Sequence, residues 1–402
     1  MQPGREIVDS AILLATLPNL STPFFLAPVI ATAASHTKHR LIIVLFSRHF
    51  NVHYPGRKDK DYLTFSENQA LSRTESWDPV QRILTFTYVQ AAKIAQQMNK
   101  VLMDVDVLLR GLNQDFAPAL PSLDICFRVS GDSIAVPLPP AIGLLRQLYI
   151  PPGDADPLSG AQTAVGTPSV TAHIPPLYPV TALGGTFDHL HSGHKILLSM
   201  AAYITSRKLI VGITEDALLQ NKSNKHVLEP LSVRTERVRA FLHFFKPEIA
   251  LDLVPIHDVY GPTGWDPDIQ ALVVSKETMS GGEAIAAHRK AHSLPALRTF
   301  LIDVISATNA SLDHEDAEWL KMHKLSSTFI RQWIVDSALQ KESADAQTEK
   351  DKVVDAENAR GKVLEDARGI VDAENAKEQE KSRAESAQES TEEAKNLLAA
   401  QN

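Results

Sequence analysis

The sequence predicts an α/β protein built on a mostly parallel sheet, and three observations carry that prediction. From residue 179 to residue 339, short apolar runs alternate with segments of helical periodicity, the pattern of strands covered by helices on both faces. A stretch dense in Pro, Gly, Ser, Thr and Ala, residues 151–178, sets that region apart from residues 1–150. From residue 340 to 402 the composition turns to Ala, Glu, Lys, Asp and Gln, with no aromatic residue. The chain therefore divides into a smaller N-terminal α/β region (1–150), a linker (151–178), the alternating region (179–339) and a charged helical or disordered tail (340–402).

Taken in order, the apolar segment 11–34 resembles a signal or a span, but Pro18, Pro23 and Pro28 interrupt it, and Glu6 and Asp9 precede it. It reads as a buried helix followed by a loop. LIIVLFS (41–47) predicts a buried strand, residues 78–99 a helix, and residues 100–111 a partly alternating strand. No chemical motif stands out there, so residues 1–150 read as a structural or regulatory module. In the alternating region, VTALGGTF, KLIVGIT (208–214), IALDLVPI (249–256), ALVVSKE (271–277) and RTFLIDVI (298–305) are strands. Residues 192–206, 232–245, 281–292 and 327–339 are helices. In such sheets ligands bind beyond the carboxyl ends of the strands, where strand order reverses. In the tail, VVDAENAR recurs as IVDAENAK seventeen residues later, and opposite charges alternate. A solvated helix, frayed and weakened by Gly361 and Gly369, fits better than a coiled coil, whose apolar heptad series fails at Lys377.

Bulk properties narrow the function. The 402 residues carry a net charge of −8. Residues 338–402 contribute −6 of it, leaving −2 for the rest. No basic field suited to nucleic acid is present, and no membrane span is expected. The single cysteine, Cys126, excludes a disulfide framework and a multi-cysteine metal site, and fits a cytoplasmic location.

The chemistry concentrates in GGTFDHLHSGH, residues 184–194. A strand ending in Gly184 and Gly185 lets the backbone approach a ligand closely. The next helix starts near Ser192, where unpaired amides and the helix dipole favour an anion. His191 and His194 straddle that start, with Gly193 between them. They can donate hydrogen bonds to phosphate oxygens as charge grows there, which is equipment for stabilising a phosphoryl transition state. The same pair reads only weakly as zinc ligands, since no third ligand is near. About 135 residues later, LSSTFIR (Leu325–Arg331) offers a second helix start. Ser326, Ser327 and Thr328 can cap it, and Arg331 one turn on can fork onto phosphate oxygens. Lys321 and Lys324 add positive charge upstream.

These motifs resemble the (H/T)-x-G-H and ISSTxIR elements of the Rossmann-like nucleotidyltransferase superfamily. The segments LLQNKSNKHVLEPLSVRTERV (218–238) and VYGPTGWDPDIQALVVSKETMSGG (259–282) resemble, more narrowly, the eukaryotic phosphopantetheine adenylyltransferases, over about 40% of the chain. The resemblance implies transfer of AMP from ATP to 4′-phosphopantetheine, giving 3′-dephospho-CoA and pyrophosphate. It implies His194 at the α-phosphate, His191 holding phosphates, and Lys222 bridging acceptor and α-phosphates, with Lys225 as a close alternative. It further implies Thr186 at the acceptor phosphate, Gly184, Gly185, Phe187 and Gly193 around the nucleotide, and Ser326, Ser327, Thr328 and Arg331 on ATP. Mg²⁺ would be held by phosphates and water, with no protein ligand. Bacterial members usually have threonine where His191 stands. Histidine there keeps a cytidylyltransferase acting on a phosphorylated alcohol as an alternative. A nucleotide-binding scaffold that gathers other coenzyme A enzymes through residues 1–150 or the tail is a third reading. No G-x-x-x-x-G-K-[ST] occurs, so no dephospho-CoA kinase activity is expected.

Overall fold

The computed structural model describes residues 7–52, 72–116, 120–154, 175–303 and 326–399. Among these residues, the strands fall into two five-stranded sheets. The first contains β1 (Val8–Thr16), β2 (Thr37–Phe46), β3 (Asp104–Arg110), β4 (Ile125–Val129) and β5 (Arg146–Ile150), interspersed with α1 (Ala27–His36), α2 (Trp77–Gln97) and α3 (Pro140–Gly143). Its order is β3-β2-β1-β4-β5, with every pair parallel. The second contains β6 (Tyr178–Gly185), β7 (Thr205–Thr214), β8 (Ala250–Ile256), β9 (Ala271–Ser275) and β10 (Arg298–Ile302), with α4 (Ser192–Ile204), α5 (Leu231–Phe245), α6 (Met279–Ala291) and α7 (Ser327–Ala399). Its order is β10-β9-β6-β7-β8, again parallel throughout. The N-terminal sheet thus equals the other in strand number.

The expected helix at residues 11–34 is corrected. Residues 8–16 are the central strand β1, and the helix begins only at Ala27, with Pro28 in its first turn where a missing N–H costs nothing. A continuous apolar run such as AILLA carries no period that separates buried strand from buried helix. Here β1 sits between β2 and β4, so Ala11–Ala15 are buried on both faces. The elements of the alternating region lie where the pattern puts them, except that the helix expected at 327–339 runs on to residue 399; residues 304 and 305 of the strand expected at 298–305 lie outside the described residues. Helix α4 is buried continuously from Lys195 to Ile204 and passes into β7 without a loop. Lys246 closes that junction by donating from Nζ to the carbonyls of Ala202 (2.9 Å) and Thr205 (2.6 Å).

The described residues up to Ile334 form one compact unit; one large core takes in buried side chains of both sheets, and a smaller cluster (Val180, Ala182, Ile210, Leu272, Val274) lies on the second sheet. Trp77 of α2 packs on Phe300 of β10 at 4.8 Å between ring centroids, and Ser76 Oγ lies 2.9 Å from the Tyr203 hydroxyl. Strand order reverses between β6 and β9, which places the end of β6 at the position where α/β sheets bind ligands.

The second unit begins at Val335. Its residues to 399 are helical and, from 338 through 395, exposed, including Val353, Val354, Val363, Leu364, Ile370 and Val371. Gly361 and Gly369 lie inside the helix without interrupting it. No helix among the described residues is long and apolar enough to cross a membrane. Most of the expected linker (155–174), together with Lys321, Lys324 and Leu325, lies outside the described residues.

Candidate active site

Strand β6 delivers Gly184 and Gly185 to the end of the sheet. At Gly185 a Cβ would stand 3.0 Å from the Phe187 ring, so glycine is what lets that ring fold back. Phe187 has φ +51° and is wholly buried. Its ring lies 5.3 Å from that of His194. Phe187 therefore supports an imidazole.

His191 caps the start of α4 in extended conformation, and Ser192 and Gly193 begin its first turn. The His191 and His194 rings stack at 3.8 Å between centroids. Both Nδ1 atoms are buried without a hydrogen-bond partner. Burial holds the His191 pKa well below the usual value, aided by the neighbouring His194, His189 and Lys195. Burial takes His194 down to about 4, against the opposing pull of Asp188. Both rings are thus neutral at pH 7, and among the described residues each keeps an unpartnered Nδ1 at a helix tip.

The second tip, the start of α7, meets the first. Ser326 Oγ accepts from the Phe329 amide at 3.3 Å and caps the helix. Ser327 Oγ donates to the Asp188 carbonyl at 2.7 Å. Arg331 donates from Nη1 to Asp188 Oδ2 at 2.5 Å, from Nε to the Ser223 carbonyl at 2.8 Å, and from Nη2 to Thr328 Oγ1 at 3.3 Å. Asp188 and Arg331 are 0% and 2% exposed, and the second Asp188 oxygen accepts the Glu229 amide at 2.9 Å. Asp188 is thereby the knot between the histidine loop and α7. Arg331 spends its fork on protein acceptors, and reaching a phosphate would require releasing one of them. Thr328 is exposed.

Lys222 follows a 3-10 turn (Asp216–Leu219) and is exposed. Among the described residues its ammonium has no partner, whereas Lys225 Nζ is bonded to the Gln220 side chain. Their loop is tied to α7 through Ser223 and through Asn224 Nδ2 to Gln332 Oε1, 2.9 Å. Thr186 is held by its carbonyl, which accepts from buried Arg234 at 2.6 Å. A cavity of about 630 Å³ opens beside the tips, lined by His189, His191, Ser192, Lys195, Ser326 and Phe329 among others. His194, Thr186 and Lys222 are not on its wall.

Three residues escaped the sequence reading: Asp188, Arg234 and Lys195. The first two stood inside quoted motifs without a role. Lys195 Nζ is bonded to the Asp104 carboxylate and donates to the Val105 carbonyl (2.9 Å) and Asp106 Oδ1 (2.6 Å). Burial works against its charge, but Asp106 and Asp104 outweigh that and raise its pKa. The available signal was a lysine inside the buried face of SGHKILLSM. Among the described residues, Asp188, His189 and Glu229 form the group with metal-ligand spacing. Its carboxylates are already committed, Asp188 to Arg331 and Glu229 to Arg237 (2.9 Å) and the His189 amide (2.9 Å). These residues do not make a Mg²⁺ site.

Residues 182–333 match a family model described as Cytidylyltransferase-like. Over 149 residues the chain is 35% identical to the phosphopantetheine adenylyltransferase of Pyrobaculum aerophilum, covering 37% of this chain and 87% of that one. The chain belongs to the phosphopantetheine adenylyltransferase family. The phosphopantetheine adenylyltransferase of Saccharomyces cerevisiae is 46% identical over 161 residues, 40% of this chain and 50% of that protein. An uncharacterized protein of Schizosaccharomyces pombe is 42% identical over 153 residues, 38% of this chain and 47% of that one. This family member thus spans about half the length of the two fungal relatives. The residues that match the family model contain both helix tips.

Proposed function

We propose that the protein is a pantetheine-phosphate adenylyltransferase of coenzyme A biosynthesis. A phosphate oxygen of 4′-phosphopantetheine attacks the α-phosphorus of ATP. The bond from that phosphorus to the bridging α–β oxygen breaks, and 3′-dephospho-CoA and pyrophosphate leave. The observation that carries this reading is the convergence of two helix tips on Asp188, through Ser327 and Arg331.

In this reading His194 donates to the α-phosphate, and His191 holds neighbouring phosphate oxygens. Both are preorganised by stacking and by Phe187. Thr186 and Lys222 receive the acceptor phosphate. Lys222 is preferred over Lys225 because among the described residues its ammonium has no partner, whereas Lys225 is bonded to Gln220. The amides at the start of α7, with Ser326, Ser327 and Thr328, take the β- and γ-phosphates, and Arg331 sets the angle of that tip. Gly184, Gly185 and Gly193 keep the approach open. Mg²⁺ would be held by the triphosphate and water, with no protein ligand, and would supply charge screening there. The reading assigns the kinase step that follows to another protein. It places the enzyme in the cytosol, for which the single cysteine, Cys126, is the support.

The test is an assay of the purified chain with 4′-phosphopantetheine and Mg²⁺, supplied with ATP or CTP. Dephospho-CoA and pyrophosphate from ATP alone are expected. Turnover only with CTP would establish the cytidylyltransferase reading instead. Binding of ATP without turnover would reduce the protein to a scaffold.

A further inference from the structure

The two sheets repeat one another. The order β3-β2-β1-β4-β5 becomes β8-β7-β6-β9-β10 when each strand is replaced by the one five places later. A register irregularity falls at the same rung of each. Val8 and Ser10 pair with Thr37 and Arg40, as Tyr178 and Val180 pair with Thr205 and Lys208. Helices α1 and α4 each run directly into the next strand at a threonine. Thr37 Oγ1 and Thr205 Oγ1 donate to the Ala33 and Ala201 carbonyls at 2.8 and 2.7 Å. A lysine beyond the following helix then closes each junction: Lys100 on Ser35 and Thr37, Lys246 on Ala202 and Thr205. The residues agree as well, AASHTKHRLI at 33–42 against AAYITSRKLI at 201–210. Aligned at the threonines, Pro23, Phe24, Phe25 and Leu26 stand where the second sheet has His191, Ser192, Gly193 and His194. The first copy has no imidazole at its tip.

The first copy instead grips the second. Lys195 follows His194 in the first turn of α4, and its ammonium crosses to β3, to Asp104, Asp106 and the Val105 carbonyl. Asp106 is 2% exposed, and Arg40 Nη2 donates to its other oxygen at 2.7 Å. A buried, doubly bonded carboxylate fixes one turn of helix closely, since a charge pulled from its partner there is left uncompensated. We infer that strands β1–β5 with their helices are a duplicated nucleotidyltransferase fold that has lost its phosphate-binding tip, and that Asp106 of this copy, acting through Lys195, is a positioning residue for the His191–His194 turn. Misplacement of a catalytic group by about 1 Å costs on the order of 100-fold in rate. The kinetic arm of the test rests on the adenylyltransferase reading.

In the full-length chain, Asp106→Asn is expected to lower kcat by about tenfold or more while KM for ATP and for phosphopantetheine stays within about threefold. An unchanged kcat, or a loss expressed in KM alone, overturns the positioning role. If Asp106→Asn does not fold, Asp104→Asn, at a half-exposed position, is judged by the same split. Calorimetry should give one ATP per chain, and two would overturn the loss of the first tip. If the wild-type chain binds one ATP yet does not turn over phosphopantetheine, the adenylyltransferase reading fails by itself. The imidazole NMR signals of His191 and His194 then decide. Displaced signals in Asp106→Asn support positioning, and superimposable ones overturn it.

Discussion

Acid should destabilise this protein through His194, by an amount the structure sets. The folded ring is held near pKa 4 by burial, with its Nδ1 unpartnered, while an unfolded histidine titrates at about 6.5. Because the folded value is the lower one, the unfolded chain binds the extra proton. Stability is therefore complete above pH 6.5 and is lost as pH falls from there toward 4. At pH 5 the unfolded ring is almost fully protonated and the folded ring only about one-tenth so. Linkage then gives a loss of about 2 kcal/mol relative to pH 7. Urea unfolding at pH 7 and pH 5, run on the wild type and on His194→Gln, isolates this contribution from the carboxylates, which titrate in both proteins. The variant should lose about 2 kcal/mol less across the interval. Identical pH dependence in the two proteins would refute the claim that the site holds His194 neutral by burial.

Breaking the knot at Asp188 should cost more. Asp188→Asn leaves Arg331 buried beside a neutral partner, and losses of about 3–5 kcal/mol are typical of such a change. A fall in Tm of roughly 10 °C by scanning calorimetry is expected, and a shift under 2 °C would contradict the pairing. Removing residues 340–402 should leave turnover within about twofold, since no proposed phosphate ligand lies there; a folded but inactive truncation would show that the tail takes part. His194→Ala should retain the wild-type circular dichroism spectrum and lose about 100-fold or more in kcat, the scale of one preorganised donor. Near-normal turnover would remove the residue from the mechanism.

The alternation of strands and helices from β6 to β10 could be read directly, because each strand there is a short apolar run bounded by charged or turn residues. The first strand could not. AILLA is rich in good helix formers, and only its place between β2 and β4 makes it a strand. The paired imidazoles and the hydroxyl-bearing second tip were visible because motif residues cluster locally. Their joint support was not. Arg331 reaches Asp188 across 143 positions and Lys195 reaches Asp106 across 89, and no local pattern encodes such pairs. The likeness of residues 33–42 to 201–210 becomes interpretable once the threonine junctions and their lysine caps are seen together. In the tail, Gly361 and Gly369 do not break the helix. A helix loses roughly 1 kcal/mol at each glycine, which the flanking Ala, Glu and Lys residues offset.

The most direct measurement is a structure of the full-length chain with a non-hydrolysable ATP analogue and Mg²⁺. The account predicts one triphosphate spanning both tips, with His194 within hydrogen-bond distance of an α-phosphate oxygen and amides of the first turn of α7 on the β- or γ-phosphate. A nucleotide that touches only one tip, or that binds away from the end of β6, would contradict it.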